Sequence, residues 1–125
     1  MQYLLMIYQN EVEYAKNDAA TSQKMLAEYQ AFTQGIVQAG NFKAGDRLQP
    51  TTTATTVRVR DGKALTTDGP FAETREFLAG FNLIEAESMD AAMEIARQFP
   101  WSRFGSIEVR PVRDMQAVRE RVGAA

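Results

Sequence analysis

Apolar and polar positions change period several times along the chain, and each change marks an element. Residues 2–8, Gln2-Tyr3-Leu4-Leu5-Met6-Ile7-Tyr8, form a nearly continuous apolar run of strand length. Such a run predicts a strand covered on both faces and therefore central in its sheet. From about Thr21 to Ala39, Met25, Tyr29, Phe32 and Ile36 recur at steps of four, three and four, the apolar stripe of an amphipathic helix. Gly40 supplies the stop, because a glycine past the last turn tolerates the left-handed conformation. Phe42 to Leu48 then predicts a short strand, broken by Gln49-Pro50 and the threonines behind it.

From Thr55 the pattern alternates: Thr55, Val57 and Val59 on one face, Thr56, Arg58 and Arg60 on the other. This predicts a half-buried strand, and Asp61-Gly62 is a two-residue hairpin turn that returns the chain through Lys63–Thr67. Leu78 to Glu85 predicts another strand. Ser88 is placed to cap a following helix, Asp90 suits its positive end, Met89, Met93, Ala96 and Phe99 give it an apolar stripe, and Pro100 ends it. Gly105 to Val109 predicts a last strand with Ile107 and Val109 on one face, and Pro111 opposes its continuation. A short helical segment between Arg113 and Val122 would be anchored by Val118 and Val122.

The main order is thus strand, helix, strand, inserted hairpin, strand, helix, strand. It is the βαββαβ order of a ferredoxin-like α+β fold, an antiparallel sheet with both helices on one face. The other sheet face then needs cover, and a second copy of the chain provides it most simply, so a homodimer with a cavity between the sheets is expected.

Composition narrows the chemistry. A chain of 125 residues, 45% hydrophobic and 24% charged, has the size and balance of one globular domain. Its net charge of −2, with acidic residues interleaved among the late arginines, argues against nucleic acid as a partner. No segment has the length of a membrane span or the pattern of a signal peptide, so a cytoplasmic protein is expected. The absence of cysteine and histidine removes disulfides, thiolate nucleophiles, the usual neutral acid/base group and the usual transition-metal ligands. No acidic cluster has a recognised metal-ligand spacing and no glycine-rich phosphate loop is present, so neither a metal nor a cofactor is expected.

Several segments together resemble the YCII-related proteins of the DGPF-domain group: the opening Met1–Tyr8, Leu48-Gln49-Pro50, Thr53–Arg58, Asp68-Gly69-Pro70-Phe71-Ala72-Glu73-Thr74, Gly80–Ile84 and Gly105–Pro111. The resemblance implies a dimeric α+β barrel built on a ferredoxin-like sheet over residues 1–112, with 113–125 as a short, partly helical tail. Some members of the wider group carry a His and Asp pair in a dimer cleft, proposed for acid/base catalysis. Here Tyr29 stands roughly at the histidine's place on the first helix and Phe99-Pro100 where an Asp precedes a proline, so that pair is not carried over. DGPF members are often encoded beside extracytoplasmic-function sigma factors, which implies a regulatory module as the alternative to small-molecule binding.

The charged stretch around Asp68 holds the candidate site. Asp68 is either a carboxylate at a strand end facing a cleft, able to move a proton, or the acceptor of an Asx-turn. Glu73, Arg75 and Glu76 either clamp a ligand or form solvated ion pairs. Arg58 offers a planar fork for a carboxylate, or a cross-strand pair. Tyr8 and Tyr29 supply phenols to a small-molecule pocket, or aromatic surface to a core or interface. Asp68 is thus the catalytic candidate, with Arg58, Tyr8, Tyr29, Glu73 and Arg75 the substrate-binding ones.

Overall fold

A computed structural model describes residues 1–123 apart from Glu73. Its core is a four-stranded antiparallel sheet in the order β2-β5-β1-β6, where β1 is Gln2–Gln9, β2 Phe42–Arg47, β5 Phe77–Glu85 and β6 Gly105–Pro111. The expected apolar run does become a central strand. Alternation along β1 sends Tyr3, Leu5, Ile7 and Gln9 to one face, all buried, and Leu4, Met6 and Tyr8 to the other, half-buried. Both long helices, α2 (Ala19–Gln38) and α3 (Met89–Gln98), pack on the first face. The fold is α+β and ferredoxin-like, the subunit architecture of dimeric α+β barrels.

The core falls into two clusters along this face. Tyr3, Leu5, Ile36, Ile84, Ala92 and Ala96 form one. Ile7, Met25, Phe99 and Trp101 form the other, with Tyr29 and Phe32 packed against it. The stripe of α3 is rotated from the expected one: Ala96 is buried as expected, but Ala92 is buried with it while Met89 and Met93 are 38% and 41% exposed. Small alanines let the helix backbone approach the sheet closely, and the flexible methionines turn outward. Phe99 is buried, but in the cap position after the helix rather than within it.

Local signals act as the sequence implies. Asp18 caps α2 by accepting from the Thr21 amide at 2.7 Å, Ser88 caps α3 through the Ala91 amide at 3.1 Å, and Gly40 has φ 81°. Asp61 and Gly62 both have positive φ, as a tight hairpin turn requires, and join β3 (Thr55–Arg60) to β4 (Lys63–Asp68). That hairpin forms its own two-stranded sheet, and β3 is exposed on nearly its whole length rather than half-buried. Among the described residues no layer covers its apolar side chains, and Val57 and Val59 are exposed. Strand β6 runs on to Pro111, paired with Tyr3, because it is an edge strand and a proline at its end breaks no inner ladder.

Two short helices complete the chain. Helix α1 (Glu11–Ala15), which no local pattern announces, follows β1, and α4 (Met115–Arg121) occupies the tail, where Val118 is half-buried but Val122 is 66% exposed. Among the described residues no helix is long and apolar enough to cross a membrane.

Candidate functional site

Hollows and polar side chains gather where β1 ends. Opposite Ile7 and Tyr8, the register with β5 slips, pairing Gly80 with Ile7 but Leu78 with Tyr8, so Ala79 is the extra residue of a bulge. Bulges re-aim side chains and often border sites. The Ala79 carbonyl accepts from the Leu48 amide at 2.8 Å, which fixes the Leu48-Gln49-Pro50 segment beside the bulge. From the other side, the Glu11 carboxylate accepts from the Thr51 amide at 2.9 Å and the Thr51 hydroxyl at 2.6 Å. The segment so held becomes a wall between two hollows.

The first hollow, about 580 Å³, is lined by Tyr8, Leu48, Pro50, Phe71, Phe77 and Leu78, with Glu76 and Thr74 adding polar groups. Its outer rim is the Asp68-Gly69-Pro70-Phe71 turn. Gly69 has φ 107°, a conformation that disfavours any side chain, donates its amide to the Ala54 carbonyl at 2.7 Å and accepts at its own carbonyl from the Thr56 hydroxyl at 2.9 Å. Glu76 is held by the Ser106 hydroxyl, 3.1 Å from each carboxylate oxygen. The Tyr8 phenol meets only the Met6 thioether, at 4.0 Å, among described groups.

The second hollow, on the helix side of the wall, is about 650 Å³ and is lined by Gln9, Glu11, Val12, Leu26, Arg47 and Ala79 among others. A smaller one of about 280 Å³ adjoins it through Gln9 and Tyr14 and reaches Met25, Trp101 and Phe104. The Arg47 guanidinium lies over the Trp101 ring, 4.5 Å from its centroid, and 5.9 Å from that of Tyr29.

The candidates of the sequence are thereby spread out. Tyr8 lines the first hollow, and the Arg58 guanidinium covers Phe71 on its rim at 5.1 Å from the ring centroid. Asp68 is exposed at the end of β4 opposite Thr55, outside the walls of that hollow, and the turn is bonded through Gly69 instead. Arg75 faces a separate hollow with Asn10, Glu13 and Lys16. Tyr29 packs on Phe99 and Trp101 at centroid distances of 5.6 and 5.2 Å. Glu73 lies outside the described residues.

Glu76 and Gln9 are the groups that sequence reasoning underweighted or missed. Glu76 was one charge among several in a crowded run, and its tie to Ser106 joins residues thirty apart in sequence. Gln9 had a legible signal: the period of two through Tyr3, Leu5 and Ile7 carries a polar residue onto the buried face at the next step.

The model of the YCII-related domain matches residues 1–116. The chain belongs to the YCII-related family. Over 114 residues it is 36% identical to an uncharacterized protein of Rhizobium meliloti (strain 1021), covering 90% of this chain and 92% of that one. Among solved structures, the YCII-related chain is similar to the 5-chloro-2-hydroxyhydroquinone dehydrochlorinase TftG from Burkholderia phenoliruptrix AC1100, in complex with 2,5-dihydroxybenzoquinone. The TM-score is 0.53 at 13% identity, covering 94% of this chain and 98% of that one, so the likeness is one of fold.

Proposed function

We propose that this YCII-related protein is a cytoplasmic homodimer that binds a small organic molecule in the hollow behind the Asp68–Phe71 turn. The observation that carries the reading is that hollow itself: about 580 Å³, walled by aromatic and aliphatic side chains, with the Glu76 carboxylate and the Tyr8 phenol among its described lining residues. Volumes of this order suit small ligands, and a few convergent polar groups in an apolar cleft are the usual means of orienting them. Should a proton be moved, Glu76 is the group placed to take it and Tyr8 the group placed to polarise an oxygen, with Asp68 outside the wall. The TftG structure holds a small oxygenated ring compound in the same fold, which supports ring compounds of that kind as the first to try.

The test is a thermal-shift screen of such compounds, 2,5-dihydroxybenzoquinone first, against wild type, Tyr8→Phe, Glu76→Gln and Asp68→Asn. A ligand at a hundred times its dissociation constant stabilises by about 2.7 kcal/mol, an easily read shift. Glu76→Gln is expected to lose the shift and Asp68→Asn to keep it. A hit that all three variants bind as wild type does rules this hollow out.

The regulatory alternative, a module working with an extracytoplasmic-function sigma factor, is favoured by the β3–β4 hairpin, which exposes Val57, Val59 and Leu65. Sedimentation of the two proteins mixed at micromolar concentration tests it, and a Val57→Lys variant is expected to abolish any complex.

A further inference from the structure

We propose that the helix-side hollow at the end of β1 is a second binding site, selective for a small organic carboxylate that also carries a hydroxyl group. It goes beyond the function proposed above and lies on the other side of the Leu48–Pro50 wall. Three groups point to it. Arg47 stands on the helix face of the edge strand β2, and among the described residues no carboxylate lies within ion-pair distance of it. Its guanidinium lies over the Trp101 ring, 4.5 Å from the centroid. A guanidinium resting over an indole and without a carboxylate partner keeps N–H donors available, and its fork can receive a carboxylate through two parallel bonds.

Gln9 is 8% exposed and Trp101 2% exposed, yet the Gln9 Oε1 acceptor and the Trp101 Nε1 donor are buried without a partner among the described residues. Buried polar atoms are nearly always paired, so two unpaired ones lining linked hollows indicate a missing polar occupant. Gln9 borders both the larger hollow, with Arg47, and the smaller one, with Trp101. An anion held by Arg47 shares its hollow with Gln9, whose Oε1 is the acceptor for the anion's hydroxyl. The acidic neighbours do not compete for Arg47: Glu11 is engaged by Thr51, and Glu13 lines the smaller hollow. Val12, Leu26, Leu48 and Pro50 give the larger hollow apolar walls for the ligand's carbon frame.

Trp101 is the single tryptophan of the chain, so one indole N–H resonance in an NMR spectrum of isotope-labelled protein reports the site. The probes are para-hydroxybenzoate, benzoate and para-hydroxybenzamide. Wild type is expected to show a saturable shift of that resonance with para-hydroxybenzoate, about 10-fold weaker binding of benzoate, and still weaker binding of the uncharged amide. Arg47→Met should weaken para-hydroxybenzoate about 10–100-fold, with Arg47→Lys between the two because it keeps the charge and loses the fork. Gln9→Leu should remove the preference for the hydroxylated probe and leave benzoate unchanged. No saturable shift in wild type, or equal affinity in a folded Arg47→Met, overturns the proposal. Binding that survives Arg47→Met but is lost in Glu76→Gln also overturns it, while leaving the function proposed for the first hollow standing.

Discussion

Gly45 has no room for a side chain. A Cβ there would collide with the Asn82 amide oxygen and lie 2.8 Å from the Phe81 carbonyl oxygen, and the second contact is with backbone of the neighbouring strand, which cannot swing aside. Gly45→Ala is therefore expected to destabilise the protein by about 1–3 kcal/mol, read as a lower urea midpoint with an unchanged slope. Adding Asn82→Ala should recover part of the loss and no more, since the Phe81 carbonyl remains. Nothing in the sequence marks Gly45, because its constraint comes from a strand some 37 positions later. The same holds for the site. That Tyr8 lines the first hollow follows from its place on an alternating strand beside a bulge, whereas Glu76 lines it and Asp68 does not because of how the chain turns after β4, and local pattern does not encode that.

At the scale of elements, the pieces that were legible are those whose ends carry their own chemistry. Helix α2 begins at Asp18, whose carboxylate is held below its usual range chiefly by the bond from the Thr21 backbone amide, with the Thr21 side chain adding to it. A carboxyl group whose folded-state pKa is lowered stabilises the fold above its unfolded pKa, and that stabilisation is lost as pH falls through the lowered value. Asp18→Asn keeps a neutral acceptor at the cap and removes the titration. Wild type is thus expected to melt higher than the variant at neutral pH, with the gap closing as the solution is acidified below the carboxylate range; a gap independent of pH assigns the difference to something other than this charge. Helix α1 escaped prediction for the converse reason. Asn10 caps it at 3.1 Å, but five residues are too few for an apolar period to show, and the tie that fixes it, from Thr51 to Glu11, comes from 40 positions away. The rotation of α3 was equally invisible, because its methionine and alanine stripes both fit a helical period and only the distance to the sheet chooses between them.

On the scale of the whole molecule, the face of the sheet away from the helices still needs a partner. Leu4, Met6, Phe81 and Leu83 lie there, half-buried by their strand neighbours, and Leu78 at the edge of the first hollow is 37% exposed. The β3–β4 hairpin adds Val57 and Val59, each 61% exposed, and a two-stranded hairpin with nothing packed on it is marginal in water. In the homodimer proposed above, a second copy related by a two-fold axis would cover both surfaces at once, since each subunit offers the same sheet face and the same arm. Met6 sits at the middle of the face, between Phe81 on β5 and Glu108 on β6, so Met6→Glu places an unpaired charge at the centre of any such interface. The variant is expected to sediment as a monomer where wild type sediments as a dimer, with its far-ultraviolet circular dichroism unchanged because Met6 contributes nothing to the helix-side core. The first hollow opens on this same face through Tyr8, so the monomeric variant should also lose ligand binding there while the Trp101 resonance on the helix side still responds to para-hydroxybenzoate. A Met6→Glu protein that remains dimeric moves the interface to the hairpin arm, and Val57→Lys is then the substitution that separates the subunits.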